Sequence, residues 1–286
     1  SEIAGAVSGL FGLDPLVTGI ALTVLVAVVV LGGVQRIGQV TSLLVPFMSV
    51  FYVAAGVIVI LMRITDLPAV LSSIFSSAFG MRPFAGGVGG YAIMLAMKNG
   101  FARGVFSNEA GLGSAPIAHA ASSTQEPAEQ AIWGVFEVFF DTIVICSITA
   151  FTVLLSGFEL SEAALAGYAS KGAAAVDAFN AILPGTLGGT IIQLSMVFFA
   201  LSTILSWSYY GERCWGYLSR DNKVVTSIYK VIFVLFCIVG ATGSGDLMWN
   251  ISDTLNGAMA IPNLAALLLL SGTVAAITRE YFKDKN

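Results

Sequence analysis

Residues 99–123 read NGFARGVFSNEAGLGSAPIAHAASS, and this stretch decides how the rest of the chain is read. It lies between long apolar segments, yet it carries Arg103, Glu109, Asn108, Ser107, Ser114 and glycines at 104, 111 and 113. Each glycine weakens a helix, because it has the most backbone freedom to lose. An unwound turn here offers free backbone groups beside the serine and asparagine oxygens. At bilayer depth, irregular backbone is tolerated only where protein or a water-filled cavity surrounds it. A membrane helix broken in its middle is a recurring way to hold a small ion or zwitterion. Two readings are open: a transport site on an interrupted span, or a polar loop joining two spans.

The setting of that stretch is a membrane. The chain is 57% hydrophobic and 10% charged, with a mean hydropathy of +0.88, whereas soluble domains carry about 25% charged residues. The fold class is therefore all-α and membrane-embedded, with the lipid bilayer as its first partner. A net charge of −4 and the absence of a basic tract give no indication of nucleic acid. Cys146, Cys214 and Cys237 have no CxxC or metal-ligand spacing and read as reduced, buried small residues. His119 is the only histidine, which excludes a multi-histidine metal site. Ser114 and His119 do not form a hydrolase pair: they point to different helix faces, and no GxSxG elbow surrounds the serine. No GxxxxGK[ST] loop is present for ATP-driven transport.

Apolar runs predict about seven spans: 16–33, 37–62 with a kink at Pro46, the interrupted 91–121, 132–155, 190–210, 228–241 and 256–277. The sixth is short and draws on 224–226 or Thr242. Residues 66–79 are amphipathic and read as a helix outside the membrane or along its surface. A glycine-rich patch at 86–90 precedes the third span, and 173–183 predicts a short helix within the linker after the fourth. Arg36, the group Arg213, Arg220, Lys223 and Lys230, and the group Arg279, Lys283 and Lys285 fall on one side, which is cytoplasmic by the positive-inside rule. Arg63 and Arg82 fall on the other. The chain starts at Ser1 in what reads as a helix already under way, so an N-terminal portion is expected to precede it.

Buried polar residues in spans are functional candidates. In the interrupted span, a half-helix starting near Ser114 would present N–H groups to a carboxylate, and the carbonyls ending the preceding half would suit an ammonium group or Na⁺. Glu109 either balances a cation or caps the second half-helix. Ser202 and Ser206 share a helix face with Thr203 beside them, a set of hard oxygens fit for Na⁺. The alternative is that these hydroxyls bond back to their own helix. Glu137 and Asp141 are one turn apart and would repel as bare carboxylates, so one is paired or protonated, facing Arg103, a cation path or an internal ion pair. Trp249, Asp253, Asn256 and Asn263 cluster near Pro262; Asp253 and Asn256 read either as a helix start or as part of a site.

GFARGVFSNEAGLGSAPIAHAA, STILSWSYYGERC, DTLNGAMAIPNLAALLLLSG and VLGGVQRIGQVTSLLVPFM together resemble the alanine/glycine:cation symporter family over essentially the whole chain. The resemblance implies part of an amino-acid transporter fold with two inverted repeats of five helices, the first helix of each broken. The spans then resemble helices four to ten, with 1–286 a single transporter domain. Residues 1–85 would end the first repeat and its external connection, and 86–286 would form the second. The other broken helix and an Asn- and Gln-containing substrate segment would lie upstream. The resemblance further implies a multi-pass plasma-membrane protein performing sodium-coupled symport of L-alanine or glycine by alternating access. Substrate is then expected at Phe106, Ser107, Asn108, Gly111, Gly113 and Ser114, and sodium at Ser202, Thr203 and Ser206. A membrane protein that keeps the fold without transport, or acts as a channel, is the other reading.

Overall fold

The computed structural model describes residues 1–79, 88–157 and 171–283. Within them all regular elements are helices. The first two, α1 (Glu2–Phe11) and α2 (Pro15–Val30), meet at a bend of 116°. Gly12 ends α1 in a left-handed turn at φ 66, and Asp14 opens α2 by accepting from the Leu16 amide. Pro15 fits the first turn of α2, where a missing N–H costs nothing. Helix α3 (Gly33–Met62) runs through Pro46 without ending, and α4 (Leu67–Phe79) follows. Next come α5 (Val88–Asn108), the single-turn α6 (Ala115–His119) and α7 (Pro127–Leu155), whose middle, Phe140–Ile145, is π-helical. Helices α8 (Lys171–Ile182), α9 (Leu187–Leu218), α10 (Lys223–Thr242) and α11 (Gly245–Lys283) complete the described chain.

Five of these helices are long and apolar enough to cross a membrane: α3, α7, α9, α10 and α11. The bent pair α1–α2 makes six if it counts as one span. The sequence reading of about seven had included 91–121. That segment contributes α5, which is not among the five, because Lys98, Asn99, Arg103, Ser107 and Asn108 lower its hydropathy. The sixth run gains residues at both ends, as its shortness required. Arg82, Lys285, residues 86–87 and most of the linker after α7 lie outside the described residues.

Packing divides the chain into two compact units, Ser1–Ala78 with Ser147–Met248, and Phe79–Cys146 with Trp249–Asn286. In the first, Val26, Val30, Val59, Phe179 and Leu205 are fully buried. Gly19 lets α2 approach α10: a Cβ there would sit 2.9 Å from the Ala241 methyl. Tyr52 of α3 packs its ring against Phe179 and Phe199. The second unit holds α5, α6, the first part of α7 and most of α11, and with them the broken segment.

Candidate functional site

Helix α5 stops at Asn108, and the chain turns through three left-handed residues: Glu109 (φ 54), Gly111 (φ 87) and Gly113 (φ 86). Glycine adopts such angles freely, and a glutamate does so at a cost. The Asn108 side-chain oxygen accepts from the Ala110 amide at 3.0 Å, which starts the turn in the way asparagine commonly does. Ser114 is almost completely buried and donates to the Glu109 carboxylate at 2.6 Å. Glu109 thus grips the far end of the break through a side chain. The continuation is shorter than the sequence reading required. Helix α6 has one turn, with Pro116 inside it, so it lacks the stacked peptides that give a half-helix a substantial dipole.

The near side of the break is held by the π turn of α7. Ser107 lies against both Asp141 carboxylate oxygens, at 3.0 and 2.8 Å. The Asn108 amide donates to Thr142 Oγ1 at 3.2 Å. π-Helical turns are frequent at functional sites because the extra residue re-aims side chains. Here it presents adjacent residues of α7 to adjacent residues of α5. Thr142 was not singled out in sequence, where it sits in an ordinary apolar run.

The third strut is α11. Arg103 pairs with Asp253 and lies over the Trp249 and Phe106 rings, 4.8 and 5.5 Å from their centroids. Phe106 and Trp249 are themselves 5.0 Å apart. Beyond the break, a Cβ on Gly113 would sit 3.0 Å from the Asn263 side-chain oxygen, and one on Gly111 3.8 Å from Leu264. Two readings that the sequence left open are decided here. Arg103 faces Asp253 and not the α7 carboxylates, of which Glu137 instead faces His119 at 3.4 Å. Asp253 and Asn256 do not start a helix; α11 begins at Gly245 and carries them inside it. The amide of Gln130 donates to the other ring nitrogen of His119 at 2.7 Å.

In the first unit, Ser202 and Thr203 both donate to the Phe199 carbonyl, at 2.8 and 2.9 Å. Ser202 is buried, Thr203 exposed and Ser206 half-buried. Back-bonding uses the hydroxyl proton and leaves oxygen lone pairs, so it does not remove these groups as cation ligands. No group of three or more His, Cys, Asp or Glu placed to hold a metal lies among the described residues. The donors that Ser202, Thr203 and Ser206 offer are neutral hydroxyls. Cys146, Cys214 and Cys237 are free thiols, but none is buried as the sequence suggested: Cys146 and Cys237 are half-buried and Cys214 is exposed.

Comparison with known proteins gives one consistent result. The sequence profile described as the sodium:alanine symporter family matches residues 1–286. The sodium/alanine symporter AgcS of Methanococcus maripaludis is 46% identical over 283 residues, covering 98% of this chain and 60% of that protein. A putative sodium/proton-dependent alanine carrier, YrbD of Bacillus subtilis, is 33% identical over 100% of this chain and 60% of its own length. The probable sodium/glutamine symporter GlnT of the same organism is 34% identical, over 100% of this chain and 57% of its own. The chain thus spans about 60% of the length of AgcS and YrbD.

Proposed function

Because this chain belongs to the sodium:alanine symporter family, whose members are transporters and not enzymes, we propose that the protein couples sodium entry to uptake of a small neutral amino acid, alanine or glycine. It is a multi-pass integral protein of the plasma membrane. The fold is taken as part of a five-plus-five inverted repeat, with residues 86–286 as the second repeat. The observation that carries the reading is the broken segment, a run of left-handed residues held open from α7 and α11. A zwitterion needs donors for its carboxylate and acceptors for its ammonium group, and an interrupted helix supplies both from backbone. Phe106, Ser107, Asn108, Gly111, Gly113 and Ser114 are assigned to substrate. Ser202, Thr203 and Ser206 are assigned to sodium, which is cargo here and not a resident cofactor.

Symport requires that sodium favour one access state over the other, since a ligand indifferent to state shifts no equilibrium. The test is uptake of labelled alanine by the full-length protein in proteoliposomes, with an inward gradient of sodium, of protons or of neither. Accumulation driven by sodium alone is expected. Accumulation driven only by protons overturns the coupling ion. Uptake that never exceeds equilibration points to a channel-like protein, and no uptake of alanine or glycine removes the transport assignment.

A further inference from the structure

We propose that Arg103 and Asp253 are positioning residues that set the size limit of the substrate site by fixing the ring of Phe106. The inference rests on the reading of residues 106–114 as that site. Arg103 and Phe106 are three residues apart on α5, so their side chains share a face. Trp249 and Asp253 have the equivalent relation, four apart, on α11. The Arg103 guanidinium donates to the Asp253 carboxylate while its central carbon lies over both rings, 4.8 Å from the Trp249 centroid and 5.5 Å from that of Phe106. A guanidinium suits this double contact better than an ammonium group, because its fork of N–H donors can hold a carboxylate while its weakly hydrated, delocalised charge is attracted to the ring faces. Asp253 lies in α11, one of the helices apolar enough to cross a membrane, where a charged residue is a functional candidate by default.

The consequence falls on Phe106. On a helix a phenylalanine side chain has two open wells about its first torsion, and contacts with Arg103 and Trp249 favour one of them. A wall that excludes bulk by clash works only while it does not yield. Removal of Asp253 leaves the guanidinium to seek another acceptor, its contact with the rings loosens, and the Phe106 ring regains its other well. The site then admits larger side chains.

Wild type, Asp253→Asn, Trp249→Leu and the charge exchange Arg103→Asp with Asp253→Arg are compared as full-length proteins in proteoliposomes. Sodium-driven alanine uptake is competed with glycine and with leucine, and the readout is the leucine-to-glycine ratio of half-inhibitory concentrations. Asp253→Asn and Trp249→Leu should each lower that ratio by about tenfold. The charge exchange should leave it lowered even where yield and thermal stability recover, because the guanidinium then projects from α11 and no longer lies over Phe106. A ratio within about twofold of wild type in either single variant, or full recovery on charge exchange, overturns the proposal and leaves the pair a simple helix tie. If Asp253→Asn fails to fold, Arg103→Lys decides: it keeps a charge pair with Asp253 but loses the guanidinium beside Phe106, so the ratio should fall as well, and a ratio within about twofold of wild type overturns the proposal. A wild-type protein that takes up neither alanine nor glycine defeats the transport reading itself, and this inference with it.

Discussion

Gly111 and Gly113 have nearly the same φ, 87 and 86, but different surroundings. A methyl on Gly111 meets Leu264 at ordinary contact distance, 3.8 Å, while one on Gly113 is pressed to 3.0 Å against the Asn263 oxygen. Both alanine variants pay for a left-handed backbone, about 1–3 kcal/mol. Gly113→Ala additionally displaces Asn263. Thermal unfolding in detergent should therefore show Gly113→Ala as the less stable of the two, with uptake falling further than expression in both. Equal behaviour would mean that Asn263 yields freely. Asn108 has a double duty, accepting from Ala110 and donating to Thr142. Asn108→Ala should raise the alanine concentration for half-maximal uptake by about 2- to 10-fold, the equivalent of one hydrogen bond. An unchanged value would remove Asn108 from the site.

Among the elements, α9 poses the question that its sequence left open. Its hydroxyls bond back to Phe199, as helix-bound serine and threonine commonly do. If that is all they do, Thr203→Val costs little, because shape is kept and the helix does not need the bond. If the oxygen also binds sodium, the sodium concentration for half-maximal uptake rises by about tenfold or more, as for loss of a contact to a charged group. We expect the second outcome in Thr203→Val and in Ser202→Ala, with near-normal folding. Sodium titration of alanine uptake checks it, and normal activation in both variants would leave packing as their role. Helix α7 carries the complementary lesson. Glu137 and Asp141 stood out in sequence as a pair needing an explanation, but the π turn that sends them to different partners leaves no mark in local composition.

For the whole molecule, the open quantity is substrate size. The relatives include proteins named for alanine and one named for glutamine, so family membership by itself does not fix the pocket. Glycine and alanine should compete with each other, since one methylene in an apolar pocket separates substrates by only about 1–3 kcal/mol. Leucine and lysine should compete poorly, the first by clash with Phe106 and the second by bringing an unmatched charge. Competition against labelled alanine in proteoliposomes decides this. Leucine matching glycine would contradict a small pocket, and glutamine matching glycine would place this chain's preference nearer the glutamine carrier's name.

The sequence by itself determined the solvent and the local backbone. Its lack of charge and its long apolar runs required helices in a bilayer: only helices and closed barrels satisfy every backbone polar group in lipid, and barrel strands are short and alternate in polarity. Glycines at 111 and 113, with Asn108 before them, marked where a helix had to break, since the cost of helix is carried residue by residue. Tertiary structure alone decided the partners. Ser107 meets Asp141 across 34 residues of chain, and Arg103 meets Asp253 across 150. It also decided that α6 stops after one turn and that Asp253 lies within a helix rather than at its start. Propensity and hydropathy act between neighbours in sequence and can be read there. Ion pairs, ring stacks and a π turn are fixed by which helix faces pack together, and that choice belongs to the folded chain.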